Sequence, residues 1–473
     1  MRVLAVASEA YPLVKTGGLA DVVGALPAAL AAHGIAVTTL LPGYPAVLGA
    51  LADATVVHAG TEGQRLLAGR AAGLDLLVLD APALFDRPGS PYLAPGGYDW
   101  PDNAVRFAAL ARAAAIVALG PGTLPRFDLV HAHDWQAALA PAYLAFSDGP
   151  RTPSVITVHN MAFQGQFPPS VFPALGLPAE AFTIEGIEYY GMVGYLKAGL
   201  HYADRITTVS PSYAREIATP EGGMGLDGLI RARAGRVVGI VNGIDTAVWD
   251  PATDAVLAAR YDSGSLRDRI ANRAALEETF GLGAEAGPIF AVITRLTWQK
   301  GVDLLAEALP AMVEQGGRLA LLGTGDAALE GAFLAAAQRF PRRVGVRIGF
   351  DETLSHLMFG GADAIVIPSR FEPCGLTQLY GLRYGCVPVV SRVGGLADTV
   401  IDANEAAVEA EVATGIQFSP VTAASLEAAL GRAIALHGNT ASWQAMQRAG
   451  MRTDLSWSRR AASYAALFRE LTG

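Results

Sequence analysis

Cysteine is nearly absent from this chain, with Cys374 and Cys386 the only two in 473 residues. Two thiols supply neither a disulfide framework nor a cysteine-built metal site, and that points to a reducing, cytoplasmic setting. An excess of positive charge is missing too. The formal net charge is −9 and no dense basic tract occurs, which argues against nucleic acid held by general phosphate attraction. Long apolar runs are lacking although 52% of residues are hydrophobic, because alanine inflates that figure and Arg106, Arg112 or glycine interrupts the longest stretches. No membrane span is expected. The opening Met1–Glu9, one positive charge and a short apolar run, reads better as a buried first strand than as a signal peptide, since glutamate and proline follow at once. The scarcest charged residue is lysine, which fills only three of the 35 basic positions: Lys15, Lys197 and Lys300.

What is present is an alternation of short apolar runs with helical segments. In the first half the runs are 3–7, 36–41, 74–79, 129–132, 154–158 and 206–209; in the second they are 289–293, 319–322, 344–348, 364–367 and 387–390. Continuous apolar strands between amphipathic helices favour parallel sheets covered on both faces, with chemistry at the strands' carboxyl ends. The chain is therefore expected to be α/β with two Rossmann-like domains, 1–242 and 243–450, joined near Gly239–Asp245. The stretch Trp443–Leu471 reads as helical, and a C-terminal helix in 451–473 is expected to pack against the N-terminal domain.

Two strand-to-helix junctions keep a lysine. Lys15 lies in Val14-Lys15-Thr16-Gly17-Gly18-Leu19 and Lys300 closes Arg295-Leu296-Thr297-Trp298-Gln299-Lys300-Gly301. A compact ammonium with three donors, beside backbone N–H groups at a helix start, suits a phosphate. Chance survival in an arginine-rich composition is the competing reading. Neither glycine cluster is a dinucleotide fingerprint or an NTPase phosphate loop, which demotes hydride transfer and ATP hydrolysis. His131-Ala132-His133-Asp134-Trp135 and Thr157-Val158-His159-Asn160 follow adjacent strands. Metal ligation is the weaker reading there, since successive strand residues point oppositely, and no metal is assigned. A structural role is the main alternative for His131, and contacts to a hydroxyl-rich substrate are preferred for His133, Asp134 and His159. Tyr92 and the run Tyr98–Asn103 either flank the same site or edge the core. Pro368-Ser369-Arg370-Phe371-Glu372-Pro373-Cys374-Gly375-Leu376-Thr377-Gln378 opens a helix whose first N–H groups, at Gly375, Leu376 and Thr377, can meet phosphate while Glu372 faces a polyol. The alternative is a carboxylate cap on that helix. Cys374 has no sequence-local base and is read as a lining residue rather than a nucleophile.

Taken together, Ser8-Glu9 through Lys15–Val22, His131–Trp135, Arg295–Gly301 and Arg370–Gln378 resemble the bacterial glycogen synthases, ADP-glucose-dependent enzymes of glycosyltransferase family 5 related to plant starch synthases. The resemblance covers essentially the whole chain in order. It implies a GT-B fold, two Rossmann-like domains facing across a cleft, and a metal-independent retaining transfer of glucose from ADP-glucose to the non-reducing 4-hydroxyl of glycogen or a malto-oligosaccharide, with release of ADP. It implies no cofactor. It also implies that Lys15, Gly17 and Gly18 approach the donor, that Arg295 and Lys300 neutralise its diphosphate, and that Glu372 lies beside the donor sugar. Gly375, Leu376 and Thr377 would present N–H groups, His159 would contact the glucose, Asp134 would order the acceptor side and Asn242 would belong to the donor site. Arg273 departs from the pattern, since the related enzymes commonly carry lysine there.

The leaving group shapes the implied mechanism. ADP departs once its charge is balanced, so the site needs cations and aligned N–H groups more than a strong acid. Same-face attack within a short-lived ion pair accounts for retention, with a covalent intermediate on Glu372 as the alternative. Loops borne on separate domains imply closure around the donor. Other GT-B transferases using UDP-glucose or a small sugar acceptor, a glucan phosphorylase, and a non-catalytic carbohydrate-binding protein are the competing classes. A phosphorylase would need a pyridoxal phosphate site, for which no segment is persuasive.

Overall fold

The chain forms eighteen strands among the described residues, which in this computed structural model are 1–60, 63–121 and 124–473. In chain order they are β1 (Arg2–Val6), β2 (Ala36–Pro42), β3 (Ala52–Ala59), β4 (Arg65–Ala71), β5 (Leu74–Asp80), β6 (Leu129–His133), β7 (Ser154–Val158), β8 (Gln166–Phe167), β9 (Glu188–Tyr189), β10 (Met192–Gly194), β11 (Arg205–Thr208) and β12 (Val237–Gly239), then β13 (Ile289–Ile293), β14 (Arg318–Gly323), β15 (Val344–Ile348), β16 (Ala364–Ile367), β17 (Val387–Ser391) and β18 (Ile416–Phe418). Two compact units emerge: residues Met1–Gly243 with Trp457–Gly473, and residues Ile244–Ser456.

The first unit is built on a nine-stranded sheet in the order β12-β11-β7-β6-β1-β2-β5-β4-β3. Seven strands run parallel, as their apolar runs predict, and Val3, Leu4, Val6, Leu129, Val130, Val155 and Ile156 are fully buried. The expectation of a purely parallel sheet is corrected at one edge. β3 and β4 join antiparallel. Their connections are too short for a parallel crossover, and most of β3 is exposed, so the edge pair carries little of the apolar signal that marks a buried strand. A second, three-stranded antiparallel sheet, β8-β10-β9, lies in the same unit.

The second unit carries a six-stranded, wholly parallel sheet in the order β15-β14-β13-β16-β17-β18. Asp326 and Asp351 cap helices Ala327–Arg339 and Glu352–Gly361, accepting hydrogen bonds from first-turn N–H groups. Ile244 and Ser456, the first and last residues of this unit, form an isolated parallel bridge. The stretch read as one helical segment is two helices, Thr440–Arg452 and Trp457–Thr472. Trp457, Ala461, Tyr464, Ala465 and Phe468 recur at helical spacing and are buried with Val22, Leu26 and Leu30 of helix Gly18–Ala31. Burial of such large side chains contributes about 1.5–3 kcal/mol each, enough to fasten the C-terminal helix to the first unit. No helix among the described residues is long and apolar enough to cross a membrane.

Candidate active site

In the first unit the glycine loop leaves the carboxyl end of β1 and enters helix Gly18–Ala31. Gly17 is the N-cap and no side chain caps this start, leaving backbone donors exposed at the positive end of the helix. Lys15 pairs with Asp21 at 2.8 Å and lies over the Tyr11 ring. The loop is held from beneath by Glu9, a residue whose role the sequence alone does not disclose. Only 2% exposed, Glu9 accepts hydrogen bonds from the Thr16 backbone N–H, from Thr16 Oγ1 at 2.6 Å and from the Tyr92 hydroxyl. Ser8 Oγ completes the bracket at 2.7 Å from Tyr92. Tyr92 is thus a support for the loop.

At the ends of β6 and β7 three imidazoles lie together. His131 Nε2 is 2.6 Å from Thr157 Oγ1, which in turn is 2.6 Å from Thr207 Oγ1, and its ring meets Tyr464 and Phe468 of the C-terminal helix. This is a structural environment. His133 Nδ1 is 3.0 Å from His159 Nε2, and the Asp134 carboxylate accepts the His159 backbone N–H at 2.7 Å. Asp134 adopts φ +55°, a left-handed conformation that aspartate tolerates better than most residues but still at a cost of about 1–3 kcal/mol. Burial pushes its carboxyl up to about 7; the His159 and Asn160 N–H groups oppose the rise and the charge of Glu9 adds to it. Burial lowers His131 and His159 to about 3, and lowers His133 well below its ordinary value with help from its two neighbours. Among the described residues no group of three His, Cys, Asp or Glu side chains is arranged to hold a metal ion.

A pH dependence of stability follows. The unfolded chain protonates these histidines below about 6.5 while native His131 and His159 resist down to about 3 and His133 is lowered likewise, so native stability rises with pH across that window. Asp134 works the other way, since its raised native value means the fold holds a proton that the unfolded chain has released, and its contribution declines from about pH 4 to about 7. Three histidines outweigh one aspartate. Acidification from pH 7 to 5 should therefore destabilise the fold, and His131→Gln should flatten the dependence by up to about 1.4 kcal/mol per pH unit. Urea unfolding at both pH values checks this; an unchanged slope in the variant would show that His131 is not held neutral.

In the second unit Lys300 and Glu372, 72 residues apart, meet as an ion pair with Nζ 2.7 Å from Oε2. Their side chains are 17% and 9% exposed. Ser369 Oγ donates to the same carboxylate oxygen at 2.8 Å. The approach depends on glycine. A Cβ on Gly301, whose φ is +64°, would stand 1.9 Å from the Pro368 carbonyl oxygen, and one on Gly394, with φ +43°, would stand 2.0 Å from that of Glu372. Glu372 is therefore not the cap of the following helix. Helix Thr377–Tyr384 has Leu376 as its N-cap with no side-chain cap, and the first hydrogen bond across that start, Tyr380 N–H to Leu376 C=O at 3.0 Å, leaves the preceding N–H groups outside the ladder. Gly375, at φ +71°, makes the turn into it.

Arg370 ties the two segments together. It donates to both Asp303 carboxylate oxygens at 2.7 and 2.6 Å and to the Trp298 carbonyl at 2.7 Å, while its guanidinium lies 4.5 Å from the Trp298 ring centre. Arg295, on the loop after β13, is exposed, and its side chain makes no hydrogen bond or ion pair among the described residues. Asn242, the penultimate residue of the first unit's main segment, is buried with Oδ1 unpartnered. Cys374 is buried and forms no disulfide. Arg273 is fully engaged, reaching Asp363 at 2.6 Å, Glu277 at 3.2 Å and the Gly287 carbonyl at 2.7 Å, a set of fork contacts that suits arginine.

The structure thus sets Lys15, Gly17 and Gly18 on and beside the loop that Glu9 holds through Thr16, joins His159 to Asp134 in the same unit, and in the other unit joins Lys300 to Glu372. Each group stands at a helix start or strand carboxyl end, where α/β proteins place ligand chemistry.

Comparison with known proteins agrees. The model described as "Starch synthase catalytic domain" matches residues 2–232, and "Glycosyl transferases group 1" matches residues 287–435. A glycogen synthase of Novosphingobium aromaticivorans is 62% identical over all of this chain and 99% of its own length. One from Rhodopseudomonas palustris is 58% identical over 99% of this chain and 97% of its own. Among solved structures, the catalytic domain of Arabidopsis thaliana starch synthase IV, bound to ADP and acarbose, superposes with a TM-score of 0.89 at 31% identity, covering 100% of this chain and 99% of that one. With two Rossmann-like units in the GT-B class and identity sustained from end to end, this chain belongs to the bacterial glycogen synthase family of glycosyltransferases.

Proposed function

We propose that the protein transfers glucose from ADP-glucose to the non-reducing 4-hydroxyl of an α-1,4-glucan, with retention at the anomeric carbon and release of ADP. The observation that carries this reading is the Lys300–Glu372–Ser369 cluster beside the uncapped start of helix Thr377–Tyr384. It combines a nearly buried cation, a fixed carboxylate and open backbone donors, which is what a departing diphosphate and a positively charged sugar require together. Lys300 and Arg295 balance the diphosphate as the anomeric C–O bond breaks and its electron pair leaves on ADP. Glu372 faces the positive charge that develops on the sugar. The acceptor 4-oxygen attacks the same face and passes its proton to the departing phosphate oxygen.

Lys15 and the N–H groups at Gly17 and Gly18 serve the donor from the first unit, on a loop kept in shape by Glu9. His159, held neutral by burial, is suited to hydrogen bonding a sugar hydroxyl, and Asp134 to ordering the acceptor. Asn242 brings an unpartnered buried carbonyl oxygen to the donor side. A cytoplasmic location fits the two buried cysteines, neither of which is in a disulfide.

Purified protein should elongate malto-oligosaccharide or glycogen with ADP-glucose, form new α-1,4 bonds, and keep its activity in a chelator. A panel of nucleotide-glucose donors is the test. Higher catalytic efficiency with UDP-glucose would overturn the donor assignment, and no glucan growth with any donor would overturn the transferase reading.

A further inference from the structure

Gln378 is wholly buried as the second residue of helix Thr377–Tyr384, yet its carboxamide turns back on the loop that precedes the helix. Nε2 donates to the Cys374 and Gly375 carbonyls, both at 2.9 Å, and to Thr399 Oγ1 at 3.2 Å. Thr399 Oγ1 in turn donates to the Gly395 carbonyl at 2.6 Å, and the Gly395 N–H donates to the Glu372 carbonyl at 3.0 Å. All three contacts of the amide draw on its nitrogen, while Oε1 makes no hydrogen bond. The side chain therefore serves as a donor.

The carbonyls it holds decide where the next N–H groups point. In a trans peptide the C=O and the N–H of the following residue share a plane and face opposite ways, and both peptides here are trans. With the Cys374 and Gly375 carbonyls drawn inward to Gln378, the N–H groups of Gly375 and Leu376 are turned outward. Gly375 at φ +71°, followed by Leu376 at φ −107° and ψ −27°, curls successive N–H groups round one concavity that suits an anion, with Thr377 next in line. Among the described residues none of these three N–H groups donates to another protein group, and all three residues are half-buried between the buried Cys374 and Gln378. The carboxamide also presses on the turn itself, since a Cβ on Gly375 would stand 2.3 Å from Gln378 Oε1.

We propose that Gln378 is a positioning residue for the donor: by pinning two consecutive carbonyls it aims the Gly375 and Leu376 N–H groups at the diphosphate without touching it. This rests on the reading of that loop as the diphosphate site. A glycine peptide left unpinned can turn over, because glycine takes either sign of φ readily, and a carbonyl oxygen would then face the anion where an N–H belongs. The Gln378 contacts remove that freedom before the donor arrives, so no reorganisation is needed as charge builds on the departing ADP.

The test is calorimetric titration of the full chain with ADP, beside steady-state kinetics and thermal melts. Gln378→Met keeps the length and bulk of the side chain and removes its donors. Gln378→Glu keeps the shape and sets a carboxyl group against the two carbonyls, and it carries the comparison where Gln378→Met does not fold. Each should weaken ADP binding about tenfold to a hundredfold, the worth of one hydrogen bond to a charged group, and raise KM for ADP-glucose in step while KM for the glucan is unchanged. Thr399→Val is the control for stability alone. It too removes a buried hydrogen bond of Gln378 but leaves both carbonyls pinned, so its melting temperature should fall while ADP affinity holds. Wild-type ADP affinity in a folded Gln378 variant, or an equal loss of affinity in Thr399→Val, overturns the proposal and makes Gln378 a packing residue. Failure of the wild type itself to bind ADP overturns the donor-site reading and this proposal with it.

Discussion

Replacing Glu372 by glutamine should lower glucosyl transfer by about two orders of magnitude or more, while the protein stays folded and its melting temperature shifts only modestly. The geometry separates the two effects. Glutamine keeps an oxygen that can accept from Ser369 Oγ and Lys300 Nζ, which stand 2.8 and 2.7 Å from the native carboxylate. It lacks the negative charge. In the ground state that loss leaves Lys300 without its counter-ion at a site only 17% exposed, a penalty softened by residual solvent. In the transition state the loss is larger, because charge developing on the sugar no longer meets a fixed anion, and such a preorganised contact is worth about 3–4 kcal/mol. A purely structural carboxylate would give the opposite ranking. Since Glu372 does not cap helix Thr377–Tyr384, a capping role cannot explain a stability loss here. Initial rates with ADP-glucose beside thermal melts decide it: near-normal turnover with a markedly lower melting temperature would make Glu372 a scaffold residue.

The skeleton of this fold was legible because buried parallel strands announce themselves as uninterrupted apolar runs. β7, β13, β15 and β16 begin and end where those runs do. The β3–β4 edge was not, because exposed residues such as Asp53, Ala54 and Thr55 carry no core-facing pattern. Strands of two or three residues, β8 to β10, are shorter than any periodicity can mark. At the candidate site the residue types were legible and their partners were not. Lys300 and Glu372 each stood out as chemistry at a strand end, yet nothing in a linear sequence says that they share a proton-donor contact across 72 residues. Glu9 was visible as an acid directly after the first apolar run. Its burial and its grip on Thr16 and Tyr92 depend on three segments meeting, which only the folded chain reveals.

The rare lysines give the second large effect. Lys300→Arg should cost about tenfold to a hundredfold in turnover despite conserving charge, with Lys300→Ala lower still. Lys300 reaches Glu372 from a loop pressed against Pro368, where Gly301 leaves no room even for a Cβ. A guanidinium is longer and planar, and its donors point in fixed directions. Seated here, it must either displace the carboxylate or withdraw toward solvent, and in both cases the contact proposed to balance the diphosphate moves by about an ångström, which is enough to matter in a preorganised site. Lys197 is the internal comparison. On helix Tyr195–Tyr202 its ammonium donates to the Ile184 carbonyl and to the Gly186 carbonyl at 2.8 Å, so its work is to fasten a loop. Burial lowers its pKa, against the pull of Glu188 and Glu185, and an arginine fork can still serve two neighbouring carbonyls. Lys197→Arg should therefore change the melting temperature more than the rate, with turnover within about threefold of wild type. Steady-state kinetics on both variants, with circular dichroism to confirm folding, test the ordering. Wild-type turnover and KM in Lys300→Arg, together with a large loss in Lys197→Arg, would reverse the assignment of which ammonium meets the donor.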